Sequence, residues 1–108
     1  METYEKKFDA LGDPTRRAVL EQLRRGPRSV GDIASSLPVS RPAVSQHLRV
    51  LKEAGLVVDE RLGTRRMYGL DAEGLGELRT YLERFWDDVL LDFKNAVEAE
   101  GKDKRRKA

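Results

Sequence analysis

The stretch Ser40 to Gly55, SRPAVSQHLRVLKEAG, predicts an amphipathic helix whose two ends are clearly marked. On a wheel of 3.6 residues per turn its apolar side chains fill one continuous arc and its polar side chains the other. Ser40 can cap the first turn, Pro42 falls where its missing N–H costs little, and Gly55 can adopt the left-handed conformation that ends a helix. The polar arc, rich in short polar and guanidinium groups, suits contact with base edges and phosphates in a major groove.

Two further helices are predicted just upstream of this segment. Asp13 is a suitable N-cap and is followed by Pro14 at the first helical position, and Gly26 ends that helix. Ser29 caps the next helix, which a turn at Pro38 separates from the stretch described above. Two short helices joined by a few residues, the second with a DNA-suited polar face, indicate a helix-turn-helix.

Residues 56–61 and 66–70 have the composition of strands, and residues 62–65 join them as a hairpin with a basic tip. A two-stranded hairpin needs support, which packing against the helix of residues 40–54, the predicted DNA recognition helix, would provide. Its arginines could then contact flanking phosphates or the minor groove. The predicted fold is mainly α with a small β-hairpin, a winged helix-turn-helix.

The candidate DNA contacts lie in the N-terminal half of the predicted recognition helix and on the wing. Arg49 could bond a guanine bidentately and Gln46 an adenine, whereas Ser40 and Arg41 are better suited to phosphate. The C-terminal end of the helix is interpreted as a solvated surface. The predicted DNA-binding residues are Ser40, Arg41, Ser45, Gln46, Arg49, Arg61, Arg65 and Arg66.

Asp71 is predicted to cap the longest helix, whose apolar residues recur at spacings that alternate near three and four. If this helix extends to about Ala99, it is about 40 Å long, whereas the preceding part of the chain would form a globule about 28 Å across. Leaving its large apolar side chains in water would sacrifice about 1.5 to 3 kcal/mol each. We therefore expect a two-fold homodimer through this helix. A short helix predicted over residues 4–11 should also contribute to the interface. The predicted interface residues are Tyr4, Phe8, Leu78, Leu82, Phe85, Trp86, Val89 and Phe93.

Charge is segregated along the 108 residues, although the net charge is only +2. Residues 1–70 carry +4, residues 71–101 carry −6 and residues 102–108 carry +4. A polyanion would be attracted to the first segment and repelled by the second. The length predicts one domain over residues 1–101, followed by a basic, disordered tail over residues 102–108 that either helps to hold DNA or keeps the chain soluble.

Several classes of protein are disfavoured by composition. The chain has no Cys, so it forms no disulfide and no thiolate metal site. No apolar run approaches the roughly 20 residues of a membrane span, and the N-terminus lacks a signal-peptide core. These features predict a soluble, cytoplasmic protein that does not interact with membranes.

At the level of whole motifs, the chain resembles the ArsR/SmtB family of winged-helix transcriptional repressors over about residues 5–97. The resemblance is carried by FDALGDPTRRAVLEQL (8–23), SVGDIASSLPVSRPAVSQHLRVLKEAGLV (29–57), RLGTRRMYGL (61–70) and LERFW (82–86). It implies a homodimer that binds imperfect palindromes in promoter DNA, and many members release that DNA when a ligand or metal binds.

The metal ligands of many such sensors are not matched. Where they place a Cys pair before the recognition helix, residues 30–36 offer no thiolate. Where others place His and carboxylates on the terminal helix, this chain has Asp87, Asp88 and Asp92 without a His, and we interpret these aspartates as a solvated face. No metal and no cofactor is predicted, and no residue pattern identifies a small-molecule or protein effector.

His47 is the single histidine and lies in the middle of the apolar arc. We therefore expect a core or semi-buried imidazole bonded to a backbone carbonyl or a neighbouring side chain. One His, no Cys and no phosphate-binding glycine loop leave no catalytic constellation, so the chain is not predicted to be an enzyme. The predicted function is that of a sequence-specific transcriptional regulator, a homodimeric repressor that uses residues 40–54 and 57–70. The alternatives are a winged-helix module for protein–protein interaction and a non-specific architectural DNA binder.

Overall fold

A computed structural model describes the backbone of residues 2–107 and the side chains of residues 4–101. Within this range the chain forms five helices and one two-stranded sheet. The elements are α1 (Glu2–Leu11), α2 (Pro14–Glu21), α3 (Val30–Ser36), α4 (Arg41–Glu53), β1 (Val57–Leu62), β2 (Arg65–Leu70) and α5 (Ala72–Lys107). The chain divides into two compact units, Met1–Leu78 and Arg79–Ala108.

The helix starts follow the capping residues that the sequence indicates. The carboxylate of Asp13 accepts hydrogen bonds from the backbone N–H groups of Thr15 and Arg16 at 2.8 and 3.1 Å. Ser29 and Ser40 cap α3 and α4 in the same way, each through its hydroxyl oxygen. Side chains that accept these orphan N–H groups favour helix initiation at these positions, and the predicted starts of α2, α3 and α4 are confirmed. The end of α2 was predicted wrongly, because the helix ends at Glu21 and not at Gly26.

The wing is an antiparallel hairpin in which Val57 pairs with Leu70 and Leu62 pairs with Arg65. Each strand includes one tip residue that the sequence analysis assigned to the loop. The turn therefore has two residues and begins at Gly63, whose φ of +65° is the left-handed conformation that tight hairpin turns require.

The wing is also joined to the segment that precedes α3. The backbone N–H of Arg28 donates to the carbonyl of Tyr68 at 2.9 Å, and the N–H of Tyr68 donates to the carbonyl of Arg28 at 2.8 Å. This bridge adds a short third edge to the sheet, which two strands alone would leave poorly supported.

The core of the first unit is aliphatic, as the low aromatic content predicts. Side chains from α2, α3, α4 and the start of β1 meet there with essentially no solvent exposure. The fully enclosed residues include Val19, Ile33, Val44, Leu48, Leu51 and Leu56. Leu78 also belongs to this core at 6% exposure, so its assignment to a dimer interface is corrected: the first two turns of α5 pack within the first unit.

A close approach of two glycines positions the start of α5 against the end of α4. A Cβ on Gly74 would lie 1.7 Å from the carbonyl oxygen of Gly55, so no other residue fits there without movement. Beside this crossing, the buried ammonium of Lys7 lies 3.2 Å from the carboxylate of Glu77. Neither the glycine crossing nor the Lys7–Glu77 ion pair was predicted from the sequence.

The second unit consists of α5 from Arg79 onward, and every side chain described there, from residue 79 to residue 101, is exposed. The helix extends to Lys107, past residue 101, where the sequence analysis ended the domain. A single glycine at residue 101 costs a helix only about 1 kcal/mol, so it does not by itself end α5. Ala108, the last residue of the predicted tail, lies outside the described residues.

Candidate nucleic-acid interface

Helix α4 is anchored by one side and presents the other to solvent. Val44 and Leu48 are fully buried beneath it, whereas Ser45, Gln46 and Arg49 are exposed. The division of apolar and polar arcs predicted from the sequence is confirmed. Because the buried side fixes the rotation of the helix, the polar side chains form a surface of defined orientation.

His47 lies half-buried between these two sides. Its Nδ1 atom is buried without a hydrogen-bond partner, as is the Nε atom of Arg16. His47 thus takes the semi-buried of its two predicted positions, and its Nδ1 does not form the predicted hydrogen bond.

Arg49 extends from the exposed side of α4 toward its C-terminal end. Its Nε–H donates to Glu53 at 3.2 Å, and the two side chains are 73% and 65% exposed. Exposed pairs one helical turn apart contribute little to stability, so a base or phosphate can replace this carboxylate.

The N-terminus of α4, helix α3 and the wing enclose an open depression of about 620 Å³. Three of the predicted DNA-binding residues, Arg41, Arg65 and Arg66, line it together. The guanidinium of Arg41 lies over Gly31 of α3, where an added Cβ would approach its Nη2 atom to 3.2 Å. The fold thus collects at one place cations that are separated by more than 20 residues in the sequence.

Arg65 connects the wing to α3. Its Nη2 group donates to the hydroxyl of Ser29 at 2.9 Å and to the carboxylate of Asp32 at 3.0 Å. The Ser29 hydroxyl, with smaller effects from Arg65 and Arg28, holds the pKa of Asp32 below its ordinary value. Ser29, which was predicted only as a capping residue, and Asp32 therefore also orient a predicted phosphate-binding arginine.

Asp59 of β1 was not predicted to belong to the site. Its carboxylate lies 2.6 Å from the ammonium of Lys52 on α4 and also accepts a hydrogen bond from Arg66 on β2. These two hydrogen bonds, led by that of Lys52, hold the pKa of Asp59 below its ordinary value. The sequence did contain a signal, because alternation places Asp59 on the same side of the strand as the buried Val57.

Two arginines of the wing lie directly opposite each other, since Arg61 and Arg66 are register partners. Both are exposed near the tip of the hairpin. Like charges at opposed positions destabilise a hairpin, and the Asp59 carboxylate beside Arg66 offsets part of this repulsion. Ser40, the remaining predicted contact, is exposed at the N-terminus of α4, where its hydroxyl accepts the N–H of Ala43 at 3.3 Å.

The described residues also bear on metal binding and on membrane insertion. Within that part of the chain, no cluster of three or more His, Cys, Asp or Glu side chains could hold a metal ion. None of the helices described is both long enough and apolar enough to cross a membrane.

A recognition helix with an exposed polar face, flanked by an arginine-bearing hairpin, defines a winged helix-turn-helix protein of the DNA-binding class. The sequence model described as "Bacterial regulatory protein, arsR family" matches residues 13–58, which include α2, α3, α4 and the first residues of the wing. Together with the relatives described next, this match shows that the chain belongs to the arsR family of transcriptional regulators.

Similar proteins cover nearly the whole chain. The HTH-type transcriptional regulator Rv2034 of Mycobacterium tuberculosis is 53% identical over 106 residues, or 95% of this chain and 99% of the relative. The transcriptional repressor SdpR of Bacillus subtilis is 37% identical over 72% of this chain and 87% of its own length. A homodimeric winged helix-turn-helix DNA-binding domain, Mb0332 of Mycobacterium bovis, superposes with a TM-score of 0.66 at 29% identity and 82% coverage of both chains.

Proposed function

We propose that this chain is a repressor that binds a two-fold symmetric promoter site as a homodimer, through α4 and the wing. The observation that carries the proposal is the exposed Ser45, Gln46 and Arg49 surface beside a depression lined by arginines from α4 and the wing. Groups suited to reading bases and to binding phosphates thus lie side by side on one compact unit, as recognition of a duplex requires.

Different side chains are assigned to different parts of the DNA. Gln46 and Arg49 are suited to base edges in the major groove, because amide and guanidinium groups can bond adenine and guanine bidentately. Ser40 can donate its O–H to a phosphate while its oxygen continues to accept the N–H of Ala43. Arg41 and the wing arginines Arg61, Arg65 and Arg66 are assigned to phosphates or to the minor groove, where cations serve any sequence.

Formation of the dimer is proposed from the apolar side of α5 in the second unit. Phe85, Trp86 and Phe93 are 59%, 59% and 68% exposed, and Leu82 and Val89 continue the same row. A contiguous apolar surface of this size on a soluble unit is typical of an interface. The homodimeric state of the Mycobacterium bovis domain supports this assignment. Tyr4 and Phe8 of α1 remain proposed contributors.

The proposal extends to the direction of regulation and to the place of action. SdpR is named a transcriptional repressor, which supports repression for this chain. A protein that occupies promoters acts in the bacterial cytoplasm, where the DNA is, and its function is binding without catalysis.

The test is to select a duplex from a randomised DNA pool with the purified protein and then titrate that duplex against a scrambled duplex of equal length. We expect the selected site to bind at least about a thousandfold more tightly at physiological salt. Equal affinity for both duplexes would instead indicate an architectural binder. Weak, salt-sensitive binding with no enrichment would favour a protein–protein interaction module.

A further inference from the structure

The contacts that hold the wing change from apolar to polar along β1. At its base, Val57 is buried in the core, and Asp59, two residues further on the same side, has a side chain that is only 8% exposed. From residue 60 to residue 66 every residue is exposed. Apolar packing therefore ends at the base of the hairpin, and polar contacts must define the direction of its outer half.

Asp59 makes such contacts in two directions at once. One carboxylate oxygen lies 2.6 Å from the Lys52 ammonium in the last turn of α4, and the other accepts a hydrogen bond from the Arg66 guanidinium on β2. A single ionised side chain thereby connects the recognition helix to the far strand of the wing. Charge-assisted hydrogen bonds of this kind are short and directional, which suits them to fixing an orientation.

The two cations are oriented by these bonds without being fully occupied. An ammonium has three N–H donors and a guanidinium has five, so each keeps donors that Asp59 does not use. The Lys52 and Arg66 side chains are each 53% exposed. Phosphate oxygens can therefore reach both cations while Asp59 continues to hold them.

We propose that Asp59 is a positioning residue that determines DNA specificity by holding the wing at a fixed place relative to the recognition helix. This inference rests on the proposed function of α4 and the wing in DNA binding. An anion at this position weakens attraction to every phosphate backbone, because it partly neutralises two cations. Asp59 also fixes the position of Arg66 relative to α4. Arg66 can therefore contact a phosphate only when α4 lies in the register in which the side chains of α4 contact the cognate bases, so Asp59 favours the cognate site over other DNA.

The experiment compares Asp59→Asn with wild type on a duplex selected by the wild-type protein and on a scrambled duplex. We expect affinity for the scrambled duplex to rise about threefold, with the salt slope steeper by up to about 1. We expect the ratio of the two affinities to fall by about tenfold, the size of effect that one lost oriented contact produces. Glu60→Gln is the matched control, because it removes the same charge from the next, exposed residue of the strand and should leave the ratio unchanged.

If Asp59 only neutralised charge, Asp59→Asn would raise both affinities equally, and an unchanged ratio would overturn the inference. Thermal unfolding of each variant shows whether it is folded. If Asp59→Asn fails to fold, Lys52→Gln provides the test. It removes the ion pair between α4 and Asp59 by changing an exposed side chain, and it should also reduce the ratio of the two affinities. A wild-type protein that does not discriminate between the two duplexes would refute the proposed function itself, which is a distinguishable result.

Discussion

Helix α4 and the part of α5 from Arg79 to Glu100 are both amphipathic, yet α4 exposes only its polar side whereas α5 exposes both. The apolar side of α4 is covered by its own chain, with Leu48 fully buried, and its polar side faces solvent. In the second unit, α5 exposes its apolar side as well, including Trp86 at 59%. An amphipathic pattern therefore identifies the apolar side of a helix but does not identify what covers it. We infer DNA as the partner of the first exposed surface and a second copy of the chain as the partner of the other.

The largest expected effect is on folding, because the apolar side of α4 is part of the core. Leu48→Ala should lower the free energy of unfolding by about 2 to 5 kcal/mol, since it leaves a cavity among residues that cannot fully close around it. Denaturant unfolding followed by circular dichroism measures this change. Leu62→Ala on the exposed tip of the wing is the control and should shift the value by less than about 0.5 kcal/mol.

The corresponding change in α5 should weaken association while the first unit keeps its fold. Trp86→Ala removes an exposed aromatic side chain from the proposed interface. The free energy of dimerisation should weaken by about 2 to 4 kcal/mol, which raises the Kd of the dimer roughly 30- to 700-fold. Analytical ultracentrifugation over a range of concentrations measures this Kd. Asp87→Ala, on the neighbouring residue, should change it little, and equal effects of the two substitutions would argue against the proposed surface.

On the polar side of α4 the expected effect is smaller and specific to one base pair. Arg49→Ala should cost about 1 to 3 kcal/mol in binding to the selected site and should relax the preference at one position of each half-site. Fluorescence anisotropy with a set of single-base variants of the site provides the measurement. If affinity and preference are both unchanged, the assignment of this face to the major groove is incorrect.

The smallest expected effect concerns the wing. Arg65→Gln should weaken binding to all sequences alike and reduce the dependence of log K on log salt by about 1, because one phosphate contact is lost. Titrations at several salt concentrations with selected and scrambled duplexes test this expectation. A loss confined to the selected duplex would mean that Arg65 reads bases.

Most of the fold could be predicted from the sequence because its boundaries depend on local chemistry. Asp13, Ser29 and Ser40 cap helices wherever such residues precede an amphipathic segment, and Gly55 and Gly63 adopt conformations that few other residues tolerate. The strand pattern likewise predicted the hairpin to within one residue at its tip.

The sequence was less informative about contacts between distant residues. Nothing local indicates that Arg65 reaches Asp32, that Lys7 is buried beside Glu77, or that Leu78 belongs to the core. These outcomes depend on how the elements pack, and periodicity alone cannot distinguish an apolar residue covered by its own chain from one covered by another copy. For Asp59, strand alternation indicates the buried side of β1, but its contact with Lys52 depends on how α4 and the wing pack.

The central claim, that two copies of α4 and the wing read one duplex together, is tested most directly by the sites that the protein selects from random DNA. We predict an imperfect palindrome whose half-sites are centred about 10 base pairs or a multiple of that spacing apart, bound by two chains per duplex. Enrichment of single, unpaired half-sites bound by one chain, or of no sequence at all, would contradict the account.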